Sequence, residues 1–244
     1  NENAPPELGE GADKNKDQSY FLARISKKQL EKARFPIGEM PKPRVRQIAR
    51  EFNLPVAEKK DSQGICFLGK VKISEFLSNF LEDKPGEIVT THGSVVGEHK
   101  GLHRYTLGQR RGIGVPSNTD HENFVVTGKD EGNNQLIVAF ESEKESTLWG
   151  KRFEIESLSF LTDSPPVSPT RLLGKVRYRD PSVSLLFRPL GMSKAEIVFD
   201  QPQRAITPGQ VLALYEEERL IGGGTYCLSE LGRADQSLIH EISA

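Results

Sequence analysis

Apolar positions change their period along this chain. Up to about residue 81 they recur at helical spacing, and from residue 87 onward they alternate or run in short blocks of strand length. Residues 1–15 offer no core-forming pattern and read as a loop or linker. The apolar run Tyr20-Phe21-Leu22 follows. Ser26 with Gln29 three residues on predicts a capping box for a short helix over Lys27–Ala33. Phe35-Pro36-Ile37-Gly38 reads as a turn. Val45, Ile48, Ala49 and Phe52 then fall at i, i+3, i+4 and i+7, with Pro43 in the first turn and Asn53 as the stop. The other face of that helix carries Arg44, Arg46 and Arg50. Ser74 is placed to cap a third helix bearing Phe76, Leu77, Phe80 and Leu81, which Pro85-Gly86 closes.

Beyond that point the pattern predicts strands. Glu87–Thr90 and Ser94–Gly97 flank a His92-Gly93 turn, and Phe124–Thr127 and Gln135–Ala139 flank a Gly/Asn-rich turn, giving two hairpins. Phe153–Phe160, Leu172–Tyr178, Val183–Phe187, Ala195–Phe199, Gln210–Tyr215 and Leu220–Tyr226 follow at short spacing. That series suggests a small antiparallel barrel or sandwich. Gly222-Gly223-Gly224 lacks the Lys-Ser/Thr and helix of a phosphate loop and reads as close backbone packing at a barrel corner. The order is a mostly helical front, a β-rich middle and an all-β end, with a tail from Gly232.

Composition narrows the function classes. The 244 residues carry 33 Lys+Arg and 34 Asp+Glu, so the chain as a whole is no polycation. Basic residues are nevertheless concentrated locally, with ten between Lys27 and Lys60 against four glutamates. Local basic faces beside a neutral total suit a protein that meets a polyanion on one side, and they equally suit a solvated helix face. Two cysteines far apart form no disulfide framework and fit a reducing compartment. The five histidines are scattered and there is no C-x-x-C, so no metal site is expected. No run of 18 apolar residues occurs, and no membrane partner is expected. The first residue is Asn rather than Met, which reads as a truncated or excised chain.

Cys66 is the chemically legible candidate. It lies in Lys59-Lys60-Asp61-Ser62-Gln63-Gly64-Ile65-Cys66-Phe67-Leu68-Gly69. Nearby lysines favour the thiolate, and Gly64 permits close approach of backbone to a substrate. The same Ile-Cys-Phe-Leu run also reads as a short buried strand in which the cysteine is a small hydrophobe. Arginines beside aromatics at His103-Arg104-Tyr105 and Arg177-Tyr178-Arg179, with Arg110-Arg111, suit phosphates and splayed bases, although an arginine-bearing strand is also the ordinary wet face of a sheet.

Taken together and in order, K-D-Q-S-Y-F-L (16–22), F-P-I-G (35–38), L-P-V-A-E-K-K (54–60), D-S-Q-G-I-C-F-L-G (61–69), P-G-E-I (85–88), the glycine/arginine segment 97–114 ending G-Q-R-R-G-I-G, Trp149, V-R-Y-R-D (176–180), T-P-G-Q (207–210) and L-I-G-G-G (220–224) resemble the tRNA-specific 2-thiouridylases of the MnmA/TrmU family. The resemblance covers about residues 14–226. It implies a multidomain α+β protein: a remnant of an α/β PP-loop domain over 1–69, a small β-rich central domain over 70–148 that binds tRNA, a C-terminal antiparallel β-barrel over 149–228, and a tail over 229–244. It implies ATP-dependent 2-thiolation of the wobble uridine of tRNA. ATP, with Mg, activates the 2-oxygen, a persulfide on Cys66 attacks C2, and AMP leaves. By the same resemblance Lys16, Asp17, Gln18, Arg177, Tyr178 and Gln210 contact tRNA. Lys59, Lys60, Asp61, Gln109, Arg110 and Arg111 are supporting candidates. Sulfur would come from a relay protein fed by a cysteine desulfurase, and a bacterial cytoplasm is the expected setting, with an organelle matrix as the other.

The S-G-G-x-D-S-S ATP loop of that family and its second catalytic cysteine do not occur in these residues. The resemblance therefore reads the chain as a C-terminal portion of such an enzyme, inactive alone in adenylation, with no cofactor-binding residue of its own. The competing class is a tRNA-binding module without chemistry, in which Cys66 only packs. A translation-factor-like barrel with a helical adaptor would leave the D-S-Q-G-I-C-F segment unexplained.

Overall fold

The computed structural model describes residues 6–59, 76–115, 123–140 and 148–227. The chain divides into two compact units, one made of 1–59 with 150–244 and the other of 60–149.

In the first unit six strands close into an antiparallel barrel: β6 (Trp149–Phe160), β7 (Thr170–Lys175), β8 (Val183–Pro189), β9 (Lys194–Arg204), β10 (Val211–Glu216) and β11 (Arg219–Tyr226). The order around it is β11-β10-β7-β8-β9-β6, and β11 returns to pair with β6. This resolves the barrel-or-sandwich alternative in favour of a barrel. Inward positions at period two fill its centre, with Leu185, Phe187, Ile197, Phe199, Leu212, Leu214 and Ile221 all buried.

The glycine triplet belongs to the seam. A Cβ on Gly222 would lie 2.1 Å from the Ser159 carbonyl oxygen of β6, and one on Gly223 would lie 2.4 Å from the Leu212 carbonyl oxygen. Three glycines let β11 pass between two neighbours at a distance no side chain allows.

β10 and β11 are buried on both faces, which alternation along either strand does not explain. The reason is a second layer. β1 (Leu8–Gly9) pairs with the start of β11, Leu8 opposite Leu220. A 3-10 turn, Ser19–Leu22, and a short helix α1, Lys27–Leu30, then lie against the outside of the barrel. Leu8, Ala23, Leu30, Ala213, Tyr215 and Leu220 form one apolar cluster there. Residues 1–15 were expected to contribute nothing to a core, yet Leu8 is buried in this cluster. A two-residue strand carries too few positions to show a period, so no local pattern announces it.

The α1 capping box is present: Gln29 N–H donates to Ser26 Oγ, and Gln29 Oε1 accepts from Ser26 N–H at 2.8 Å. The longer helix, α2, runs Lys42–Glu51 and ends before Asn53, whose φ of 54° lies in the left-handed region. Its three arginines are taken up locally. Arg46 donates to the carbonyls of Ala57 and Lys59, Arg50 to Glu58 at 2.6 Å, and Arg44 sits 3.6 Å from Glu51.

The second unit holds a four-stranded mixed sheet in the order β3-β2-β5-β4, with β2 Gly86–Thr90, β3 Val95–His99, β4 Phe124–Asp130 and β5 Gln135–Phe140. Both expected hairpins form, and β2 joins β5 in parallel. Ile88, Val126, Leu136 and Val138 build its core with Tyr105 and Ile113 from the 101–114 segment. Gly108, Gly112 and Gly114 all adopt positive φ, which accounts for the glycines of that segment.

Candidate nucleic-acid interface

Three short segments of the first unit meet at one end of the barrel: the turn 16–21, the turn 176–180 after β7, and the turn 207–210 before β10. The first is anchored by side chains that point inward. Asp17 is buried, and its Oδ1 accepts from the N–H groups of Gly11 (3.0 Å) and Ser19 (3.1 Å). Its Oδ2 accepts from Ser19 Oγ (2.8 Å) and from Lys175 Nζ (3.1 Å). Lys175 also reaches Glu10 Oε1 at 2.7 Å and lies 5.2 Å from the centre of the Tyr215 ring. With the Ser19 proton on Asp17, the Tyr215 hydroxyl is the donor in its 2.9 Å contact with Ser19 Oγ. Burial raises the Tyr215 phenol, with the Asp17 and Glu10 charges adding to the rise and the Ser19 contact opposing it, so it keeps its proton. Burial is also the largest single influence on Asp17 and pushes its carboxyl up. The hydrogen bonds from Gly11, Ser19 and Lys175 together outweigh it and hold the group below its ordinary value.

Next along the chain, Tyr20 O–H donates to the Val211 carbonyl at 2.9 Å and lies 3.4 Å from that of Val176. Those carbonyls adjoin Gln210 and Arg177 in sequence, so one tyrosine ties all three segments together. Burial raises the Tyr20 phenol; the Arg177 charge opposes this and the Asp180 charge adds to it. Phe21 packs its ring 4.7 Å from that of Tyr178, and the Arg179 guanidinium lies 5.1 Å from the Tyr178 ring centre. Arg177 Nη2 donates to the carbonyls of Arg204 (2.6 Å) and Ala205 (2.7 Å), while Nη1 stands 3.6 Å from Asp180. In the 207–210 turn, Gln210 Oε1 accepts from Thr207 N–H at 3.2 Å, and Gly209 supplies a φ of 86°.

The structure thus gathers Lys16, Asp17, Gln18, Arg177, Tyr178 and Gln210 around one junction. Lys16 and Gln18 are exposed there, whereas Asp17 is buried and holds the turn in place. Leu172–Tyr178 was expected as a strand, but β7 ends at Lys175 and 176–180 turns, with Arg179 at a φ of 69°. Lys175 is no wet-face lysine: it is buried between two carboxylates. Lys59 is exposed after α2 and its carbonyl accepts from Arg46. Gln109 belongs to the other unit. Its side chain bridges Thr106 N–H and the Arg111 carbonyl, and Arg110 and Arg111 are exposed beside it. Cys66, Lys60 and Asp61 lie outside the described residues, as does Ser74. Sequence reasoning missed Glu10, Ser19, Lys175 and Tyr215. The one local signal was a lysine on the strand face that it shares with Leu173.

Among the described residues no group of three or more His, Cys, Asp or Glu is placed to hold a metal ion, and no helix is long and apolar enough to cross a membrane. Cys227 is partly buried. Its thiol is pushed up by burial first, then by Glu156 and Glu154, with Lys194 opposing.

Three family profiles match the chain: a tRNA methyl transferase HUP domain over residues 1–70, a tRNA methyl transferase PRC-barrel domain over 74–140, and an aminomethyltransferase beta-barrel domain over 150–226. Among similar proteins, the tRNA-specific 2-thiouridylase MnmA of Geobacillus thermodenitrificans is 44% identical over 215 residues, covering 88% of this chain and 57% of that protein. The protein of the same name from Akkermansia muciniphila is 43% identical over 216 residues, covering 88% and 60%. That of Proteus mirabilis is 42% identical over 220 residues, covering 89% and 60%. The chain therefore spans between 57% and 60% of the length of these relatives.

Proposed function

The chain belongs to the MnmA/TrmU family of tRNA-specific 2-thiouridylases, and from that footing we propose that it takes part in 2-thiolation of the wobble uridine of tRNA. The observation that carries this reading is the convergence of Lys16, Gln18, Arg177, Tyr178 and Gln210 on one barrel end, bound together through Asp17 and Tyr20. Cations, amide groups and an aromatic on a rigid support are what recognition of an unpaired RNA loop requires.

In this reading Cys66 carries the transferable sulfur as a persulfide, received from a relay protein that a cysteine desulfurase feeds. Its terminal sulfur forms the new bond to C2 of the activated uridine as the activated oxygen departs; a second thiol of the whole enzyme then attacks Cys66 Sγ, so that the S–S bond breaks, the sulfur stays on C2 and Cys66 is left in a disulfide. Lys59 and Lys60 favour the anionic sulfur. In the whole protein ATP supplies the activation, with Mg, in a bacterial cytoplasm. The residues of this chain do not fit ATP: no S-G-G-x-D-S-S segment occurs in them, and the described glycine-rich stretches serve the 101–114 segment packed on the mixed sheet and the barrel seam. No activation step is derived from them, and the chain by itself is expected not to release AMP on tRNA.

Two measurements test the proposal. Incubation with a persulfide donor followed by intact mass should add sulfur to the chain and not to Cys66→Ser; an adduct confined to Cys227 refutes the carrier role. Titration with unmodified tRNA should show affinity that falls steeply with salt. RNA binding without any adduct on Cys66 would make the chain a binding module, and absence of binding would overturn the interface.

A further inference from the structure

Phe21 stands out at the junction. It is 59% exposed, while its neighbours in the turn are fixed: Ser19 and Ala23 are buried and the Tyr20 hydroxyl is bonded into the barrel. The backbone beneath it is held as well, with Phe21 N–H donating to the Gln18 carbonyl at 3.1 Å and Ala23 N–H to that of Tyr20 at 3.3 Å. The ring is therefore displayed from a rigid support and is no member of a loose loop. It forms the outer end of a ladder that runs from the Arg179 guanidinium through Tyr178 to Phe21. Arg24 is exposed three residues on in the chain and donates to Thr225 at 2.8 Å, and Arg177, next to Tyr178 in sequence, is held on the carbonyls of Arg204 and Ala205. Asp180 stands 3.6 Å from Arg177.

A displayed aromatic backed by a tyrosine that itself carries a guanidinium, with Arg24 close in the chain, matches the stacking platforms that hold unpaired bases. The ring takes the π-face of the base, and the cations take the phosphates on either side. We propose that Phe21 is a base-stacking subsite for an unpaired nucleotide of the RNA, distinct from the Lys16–Gln18 and Arg177–Gln210 contacts. This rests on the tRNA-binding reading given above. The occupant is a nucleobase because stacking needs a planar face, and it is unpaired because a paired base offers no free one. Identity of the base matters little, since every base has such a face.

The test compares wild type, Phe21→Leu and Phe21→Trp on two probes, an unmodified anticodon stem-loop RNA and a fully paired RNA duplex of equal length. Phe21→Leu keeps an apolar side chain on Tyr178 and removes the π-face. It should weaken stem-loop binding about 5- to 150-fold, leave duplex binding unchanged and leave the slope of affinity against salt unchanged, because no phosphate contact is lost. Phe21→Trp should retain affinity. In a Trp149→Phe background, which removes the sole native tryptophan, its emission should be quenched on addition of the stem-loop. Phe21→Leu binding within two-fold of wild type, an equal loss on the duplex, or unquenched emission overturns the subsite while leaving the interface standing. Failure of wild type to bind the stem-loop overturns the interface and the subsite together.

Discussion

Replacing Lys175 by Met removes an ammonium from between two carboxylates while keeping the length of the stem. Nζ lies 2.7 Å from Glu10 and 3.1 Å from Asp17, with the lysine side chain 11% exposed. Removing one partner from a buried pair costs about 3–5 kcal/mol, because the remaining charge is left uncompensated. The lower end applies. Glu10 keeps Lys14 at 2.7 Å, and Asp17 keeps the donors of Gly11 and Ser19. With a urea m value of about 2 kcal/mol/M, the midpoint should fall by about 1.5 M at pH 7. The pH dependence follows from the direction of the Asp17 shift. A carboxyl held below its ordinary value contributes stability above its unfolded value of about 3.9, and loses it as pH falls through the depressed folded value. In Lys175→Met one of the opposing hydrogen bonds is gone, the Asp17 carboxyl rises, and protonation relieves the buried charge sooner. The gap between variant and wild type is therefore widest at neutral pH and narrows as pH drops toward 4. Adding Asp17→Asn to Lys175→Met should recover part of the loss. Urea unfolding followed by far-ultraviolet circular dichroism at both pH values reads all three effects. A midpoint shift below about 0.5 M, or a gap of constant width at both pH values, would refute the account of Lys175 as the clamp of the 10–19 segment.

Other perturbations probe the seam, the cap and the second thiol. Gly222→Ala places a methyl 2.1 Å from the Ser159 carbonyl at a φ of 149°; it should cost about 3 kcal/mol or more and lower the melting temperature by about 10 °C, and a change under about 2 °C would show that the seam yields. Ser26→Ala removes the capping box of α1 and should cost about 1 kcal/mol, read as a melting-temperature loss of about 3 °C. In a Cys66→Ser background, Cys227 should alkylate slowly with iodoacetamide at pH 7, its rate climbing about tenfold per pH unit until above pH 9, since burial and Glu156 raise its thiol; a plateau near neutral pH would refute that.

Most strands of both sheets were legible because alternation is a local property: a two-residue period carries one face to the core whatever its partner, while β10 and β11, buried on both faces, were legible as short apolar runs of strand length. The Ser26–Gln29 box was legible for the same reason, since both hydrogen bonds span three residues. The family resemblance was legible in short local segments, and the family profiles and relatives match most of the chain. The end of β7 was misjudged. Val176-Arg177-Tyr178 has β-forming residues, but the Arg177 bonds to the 204–205 carbonyls turn the chain there.

What the amino-acid order determined alone was where most strands and turns fall and where close backbone packing calls for glycine. What the tertiary structure decided was which residues face one another. Asp17 and Lys175 stand 158 positions apart, and no spacing rule connects them. Their pairing exists because β1 and the 19–22 turn cover β10 and β11 from outside. Residues that would otherwise be a solvated aspartate and a wet-face lysine are thereby buried and must neutralise each other. The same covering layer sets Phe21 against Tyr178 and brings three turns to one place, a consequence of long-range packing rather than of any local pattern in the chain.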